Sequence, residues 1–168
     1  RTLRPVKVQG STLTTRAFNE SAARVPVFLE PGGRPLNAEV DLWQGPDNAP
    51  QKMKVYLEDG NKRPFSAVMD TPGSGNAVAI RNTAPMEFPL NAFVEADNGG
   101  PGPARALAAN TKPRTVQGGA VFTTPFAPNV KSIQIMLNTD GRPLNLRIEL
   151  LQGPNNNKQV MEVYCEDG

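Results

Sequence analysis

Apolar and polar residues alternate with a period of two along much of this chain, the pattern of half-buried β-strands. In residues 51–59, Met53, Val55 and Leu57 fall on one face while Lys52, Lys54, Tyr56 and Glu58 fall on the other. In residues 38–42, Ala38, Val40 and Leu42 alternate with Glu39 and Asp41; later, Leu146, Ile148 and Leu150 alternate with Arg147 and Glu149. Residues 25–30, 65–70, 76–82 and 86–96 are further strand candidates, bounded by PGG, DGNKRP, TPGSG and NTAP. These boundaries have a physical cause. Pro31 fixes φ, and Gly32 and Gly33 tolerate the positive φ of a tight turn. Asp59-Gly60 and Asp140-Gly141 are turn signals of the same kind. Pro26 and Pro89 lie inside strand-like runs without a donor N–H, so those runs are expected at sheet edges or at bulges.

A second regularity is longer. The stretch GRPLNAEVDLWQGPDNAPQKMKVYLEDG ending at Gly60 aligns without a gap on GRPLNLRIELLQGPNNNKQVMEVYCEDG ending at Gly168, at an offset of 108 and with 17 of 28 positions identical. The differences are mostly conservative, as Val40 against Ile148 and Asp41 against Glu149. The same offset matches Pro5, Val8, Gln9 and Gly10 to Pro113, Val116, Gln117 and Gly118, and Val25, Val27 and Leu29 to Ile133, Ile135 and Leu137. An internal duplication of this length sets the architecture. It predicts an all-β fold: a tandem repeat of two related antiparallel β-sandwich-like modules, the second incomplete in this chain. The expected boundaries are 1–96 for the first module, a Gly/Pro/Ala-rich linker over 97–111 with one helical turn at 104–109, and 112–168 for the second. Counterparts of residues 61–96 do not follow Gly168 in the sequence. Either further residues supply them, or strands from elsewhere complete the second module; an open sheet edge invites such pairing.

Composition supports strands over helices. Pro and Gly, at 17 and 15 residues, punctuate the chain too often for long helices. No run approaches the 18 or so apolar residues of a membrane helix, and residues 1–25 hold no apolar signal-peptide core. The formal charge of +2 is spread among interspersed acids and bases. That pattern builds no concentrated positive field for nucleic acid. One cysteine, Cys165, cannot form an intramolecular bridge.

Enzyme chemistry finds little to work with. The chain has no histidine, the commonest general acid/base and a common metal ligand. No phosphate loop, dinucleotide fingerprint or nucleophile elbow is present, so neither a cofactor nor a metal is expected. Glu58-Asp59 and Glu166-Asp167 precede turning glycines and read as solvated turn carboxylates. Cys165 matches Leu57 on the inward face and reads as a buried, inert thiol; Trp43, matched to Leu151, reads as core. Six residues recur in both copies without a demand from turn geometry or core packing: Arg34 with Arg142, Gln44 with Gln152, and Tyr56 with Tyr164. An exposed tyrosine or arginine suits an interface, and these six are the candidate assembly contacts, the plainer reading of each arginine being a solvated charge. A β-sandwich binding module of lectin or adhesion type, with Trp43 as a stacking platform, is the alternative, and an enzyme working through carboxylates alone is a third.

The motif RPLNAEVDLWQGP…KMKVYLEDG and its second version RPLNLRIELLQGP…MEVYCEDG resemble the tandem conserved regions of the pyrenoid shell proteins (PyShell) of diatoms and related algae, over both copies. The resemblance implies a structural protein of the chloroplast stroma, at the pyrenoid periphery. Its main partner would be copies of itself, assembled into a sheet-like lattice around the Rubisco-containing pyrenoid, with pyrenoid matrix components as further partners. Such a shell supports CO2 concentration and fixation. The short second copy is where this sequence departs from the pattern.

Overall fold

A computed structural model describes residues 5–18, 22–31, 35–45, 48–59, 64–71, 75–85, 88–95, 107, 109–139, 141–152 and 156–166. The strands are β1 (Val6–Val8), β2 (Leu13–Ala17), β3 (Arg24–Glu30), β4 (Leu36–Gln44) and β5 (Gln51–Leu57), followed by β6 (Phe65–Asp70), β7 (Asn76–Asn82), β8 (Leu90–Val94), β9 (Leu144–Leu151) and β10 (Asn157–Cys165). They form two antiparallel sheets. One has four strands in the order β1-β8-β3-β6, and the other six in the order β2-β7-β4-β5-β10-β9. The fold is all-β.

Period-two alternation decides which face of each strand is buried. In β4, Leu36, Ala38, Val40 and Leu42 are buried while Asn37, Glu39, Asp41 and Trp43 are half-exposed. With Val55 and Leu57 of β5 and Val78 and Ile80 of β7 they meet Val25, Val27, Leu29, Phe65, Met69 and Leu90 of the other sheet in one core. Each fully buried Leu or Val contributes about 1.5–3 kcal/mol relative to exposure. On the far face of the smaller sheet, Phe28 and Phe93 pair across β3 and β8 with ring centroids 5.7 Å apart.

Two asparagines secure the ends of β7. The Asn82 side-chain amide donates to the carbonyls of Val8 at 3.0 Å and Phe88 at 2.9 Å, and its oxygen accepts from the Ala84 N–H at 3.0 Å. Asn76 donates to the Thr71 carbonyl at 3.3 Å. Both side chains are buried, so these bonds answer the desolvation of their amides.

The chain divides into two compact units, Arg1–Asn98 with Thr139–Gly168, and Gly99–Asn138. Both sheets belong to the first. In the second, the described residues contain no strand; Leu107, Ala109 and Asn110 are helical, the other residues of the helical turn expected at 104–109 lie outside the described residues, and the rest is turns, a bend and irregular backbone. The Arg114 guanidinium lies 5.0 Å from the centroid of the Phe122 ring. Ile133, Ile135 and Leu137 are 44%, 53% and 39% exposed, although their counterparts Val25, Val27 and Leu29 are at most 1% exposed.

Three expectations are corrected. Neither proline-containing run is an edge: β3 and β8 are both interior strands. The Pro26 carbonyl accepts from Glu95 N–H at 3.3 Å, so its ring nitrogen points past the end of β8 and away from its partner β6. Pro89 lies one residue before β8 begins. Trp43 lies outside the core, on the outward-facing set of β4, because burial of Leu42 fixes the parity. Cys165 is half-buried instead of fully buried, since the inner face of β10 is less covered than that of β5.

Candidate assembly surface

The hairpin β9–β10 reproduces the register of β4–β5 at the offset of 108. Leu36 faces Leu57, Ala38 faces Val55 and Val40 faces Met53; correspondingly Leu144 faces Cys165, Leu146 faces Val163 and Ile148 faces Met161. The two hairpins join edge to edge through β5 and β10. There Met53 faces Val163 and Val55 faces Met161, so each residue meets the counterpart of its partner. The flanking bonds are reciprocal as well: Glu58 N–H donates to the Lys158 carbonyl at 3.0 Å, and Glu166 N–H to the Pro50 carbonyl at 2.7 Å. The join therefore has a local two-fold axis at Lys54 and Glu162, which face each other.

On the outer face one cross-strand row runs through five strands: Arg81, Glu39, Lys54, Glu162 and Arg147. Its charges alternate in sign at every step. Arg81 Nε lies 4.0 Å from Glu39 Oε2, and Arg147 Nη1 lies 3.4 Å from Glu162 Oε1. Arg147 Nε also bonds Glu149 Oε1 at 2.7 Å, and Lys158 Nζ meets Glu58 Oε2 at 3.0 Å. Exposed pairs of this kind contribute about 0–1 kcal/mol each. Like charges directly opposite are unfavourable, so the row selects register and partner more than it stabilises the sheet.

An open trough of about 630 Å³ follows this face, lined by Glu39, Asp41, Lys52, Lys54, Arg147 and Tyr164 among others. Burial raises the pKa of the Asp41 carboxyl above its ordinary value, opposed by Lys52 on the neighbouring strand; Glu39 adds to the rise and Arg81 opposes it. Burial likewise pushes the Cys165 thiol up, which disfavours the nucleophilic thiolate. Among the described residues no group of three His, Cys, Asp or Glu is placed to hold a metal ion, and no helix is long and apolar enough to cross a membrane.

The six sequence candidates are dispersed. Tyr56 and Tyr164 lie half-buried on the outer face, Tyr56 opposite Asn37 and Val160, and Tyr164 opposite Lys52 and Asn145. Gln44 is tied inward at the end of β4, its Nε2 donating to Asn76 Oδ1 at 3.1 Å. Gln152 is exposed, and its N–H donates to the Asn156 carbonyl at 2.9 Å as that of Gln44 does to Asn48 at 2.8 Å. Arg142 is exposed in the turn before β9, where its carbonyl accepts from Thr139 Oγ1 at 2.5 Å. Arg34 lies outside the described residues.

The charged row was missed by sequence reasoning, although a signal for it exists. Between the two copies most differences conserve character, but Glu39 against Arg147 and Lys54 against Glu162 both reverse charge. Two copies that pair strand to strand about a two-fold axis need that reversal, because identical charges would face each other at the axis.

Comparison with curated proteins finds no match. The family model described as diatom pyrenoid shell protein matches residues 1–168, and on that match the chain belongs to the diatom pyrenoid shell protein family.

Proposed function

We propose that this protein is a non-catalytic building block that packs with copies of itself into a sheet-like lattice around the Rubisco-containing pyrenoid, in the chloroplast stroma at the pyrenoid periphery. There the lattice supports CO2 concentration and fixation and meets matrix components on its inner side. The protein consists of two related β modules, residues 1–96 and 112–168, joined by the linker 97–111, the second module incomplete within this sequence. Arg34, Gln44, Tyr56, Arg142, Gln152 and Tyr164 are the contact residues of this reading.

The observation that carries the reading is the edge-to-edge join of β5 and β10. One sheet-forming unit meets its own counterpart along a strand edge, matched by an alternating row of charge. Surfaces that recognise their own kind within a chain are suited to recognising it between chains, and contacts that do not close generate open arrays. The exposed apolar side chains of Ile133, Ile135 and Leu137 support it further. A low net charge lets copies crowd together with little self-repulsion.

Negative-stain imaging and sedimentation of the purified protein test this. Sheets or tubes that pellet are expected. Arg34→Glu and Arg142→Glu are expected to reduce pelleting; for Arg142, which is exposed, the melting midpoint is expected to shift little, since surface changes alter stability within about 0.5 kcal/mol. A monodisperse monomer at high concentration that binds a glycan would overturn the proposal.

A further inference from the structure

The outer edge of β2 is set by the order of strands in the first half of the chain. The strands before and after it, β1 and β3, both lie in the smaller sheet, so β2 ends the larger sheet by the fold's own order. Thr12 and Phe18, which flank β2, turn their backbone groups towards β7. The Thr12 carbonyl accepts from Asn82 N–H at 3.0 Å, and Phe18 N–H donates to the Asn76 carbonyl at 2.9 Å. The odd residues between them, Leu13, Thr15 and Ala17, therefore address the outer side, where no strand pairs among the described residues. No proline or bulge interrupts this edge. Its one charge is drawn to the other sheet: Arg16 Nη1 donates to the Val94 carbonyl at 2.6 Å, and the guanidinium lies 5.4 Å from the Phe18 ring centroid.

The second half of the sequence treats the same position differently. At the offset of 108, Thr15 is kept as Thr123, but Ala17 becomes Pro125. Position 17 is one of the outward donors, so a proline there removes a bond from the outer edge and none from the β7 side. The edge is blunted in one half and left intact in the other.

We propose that a second copy of this chain occupies this edge, β2 against β2 and antiparallel, about a two-fold axis through Thr15. The inference rests on the self-assembly reading and specifies one of its contacts. Pro125 selects the partner, because the edge complementary to β2 is then β2 itself, an isologous contact. An axis at Thr15 overlaps the whole strand, setting Leu13 against Ala17 of the second copy, Thr14 against Arg16, and Thr15 against itself. An axis at Arg16 would oppose two arginines, and one at Thr14 would shorten the overlap. The odd residues form the hydrogen-bonded pairs, with about six N–H···O bonds in all. Leu13, 48% exposed, gains an apolar neighbour. So short a strand makes a weak join alone and gains strength where other contacts already hold the copies together.

In this register the two Thr15 Cα atoms lie about 5.5 Å apart, within the span of about 4.4–6.8 Å that a disulfide bridges. The two Leu13 Cα atoms lie about 14 Å apart, beyond that span. Thr15→Cys and Leu13→Cys are each made in the full chain with Cys165→Ser, oxidised with oxidised glutathione, run on non-reducing gels and sedimented. A covalent dimer from Thr15→Cys at least tenfold faster than from Leu13→Cys is expected. Proline supplies a second readout through strand parity. Thr15→Pro removes an outward donor and is expected to melt close to the parent, while the concentration at which pelleting begins rises at least tenfold. Thr14→Pro removes a donor that serves β7 and is expected to melt clearly lower. Ala17→Pro, the residue the second half carries, is the milder form of the Thr15 test. Particles that pellet while Thr15→Cys stays uncrosslinked and Thr15→Pro pellets like the parent overturn the β2 contact and leave the assembly reading standing; that is also the outcome if another segment of the same chain covers the edge. Crosslinked dimers that go no further support the contact and overturn the lattice. Equal rates for the two cysteines overturn the register.

Discussion

Lys54 faces Glu162 across the β5–β10 join, and the two occupy the same position 108 residues apart in the aligned halves of the sequence. Every other pair along this join is reciprocal about them. At the axis itself a residue meets its own counterpart, so an unchanged charge there would repel itself. The reversal from lysine to glutamate removes that repulsion, and the matching reversal from Glu39 to Arg147 keeps the next position of the row alternating.

Lys54→Glu therefore sets three carboxylates in a line, the introduced one flanked by Glu39 and Glu162. A loss of about 1 kcal/mol is expected from two like-charge cross-strand pairs, read by urea denaturation at low salt. The reciprocal exchange, Lys54→Glu with Glu162→Lys, is expected not to restore stability. It repairs the central pair but puts the introduced carboxylate beside Glu39 and the introduced ammonium beside Arg147. Full rescue by the double variant would show that the pair acts alone and that the row has no meaning.

Leu42 and Leu150 are counterparts in the two hairpins with unequal cover, Leu42 being 1% exposed and Leu150 half-buried. Leu42→Ala leaves a cavity between packed sheets and is expected to cost about 2–5 kcal/mol. Leu150→Ala removes side chain from a face that water already reaches, and about 1 kcal/mol is expected from its smaller transfer loss. Thermal and urea unfolding of the isolated chain measure both. Equal costs would mean that the inner face of β9 is as covered as that of β4.

The strands themselves were legible in the sequence because alternation and turn residues are local. Residues 65–70 and 76–82 coincide with β6 and β7, and the duplication points to the hairpin of β9 and β10 from that of β4 and β5. Strands β1 and β2 escaped notice, since β1 is three residues long and β2 buries little, leaving no face to pattern. Pro26 misled because a proline's missing donor matters only on the side to which its nitrogen points, and side is a property of pairing. Trp43 misled because hydrophobic character suggests burial, whereas parity with Leu42 turns it outward. The charged row is the case that no single strand can reveal. It exists only once the registers of five strands are fixed, and register is a tertiary quantity.

Asn82 would pass in sequence for an ordinary strand-end polar residue. It is buried, and its amide connects the carbonyls of Val8 and Phe88 and the N–H of Ala84, tying β1 and the approach to β8 onto the end of β7. Asn82→Ala takes this partner from the buried Val8 carbonyl and the buried Ala84 N–H, and removes the bond to the carbonyl of half-buried Phe88. A cost of about 2–3 kcal/mol is expected, at the upper end of what an unsatisfied buried polar group costs. Asn145→Ala, at an exposed position of β9, is the control and is expected to change stability by less than about 0.5 kcal/mol. Hydrogen exchange should show the Asn82 variant's faster exchange at Val8 and Ala84 first. Uniform acceleration across β4 and β5 instead would mean that the contact is no local pin.

Asp41 gives the surface a pH signature opposite to that of a paired carboxylate. Burial raises its folded pKa above the ordinary 3.8, with Lys52 opposing that rise only in part. The folded chain thus holds this proton more tightly than the unfolded chain does. The stabilisation from this site is complete below 3.8, falls as pH climbs through the raised value, and is absent at neutrality. Ionised Asp41 is a net cost at about pH 7, and Asp41→Asn is expected to melt above the parent there. At about pH 3 both carry a neutral group, and the two melting midpoints should converge. If Asp41→Asn instead melts below the parent at neutral pH and at low ionic strength, attraction to Lys52 outweighs desolvation, and Asp41 belongs with the ion pairs of the row beside it.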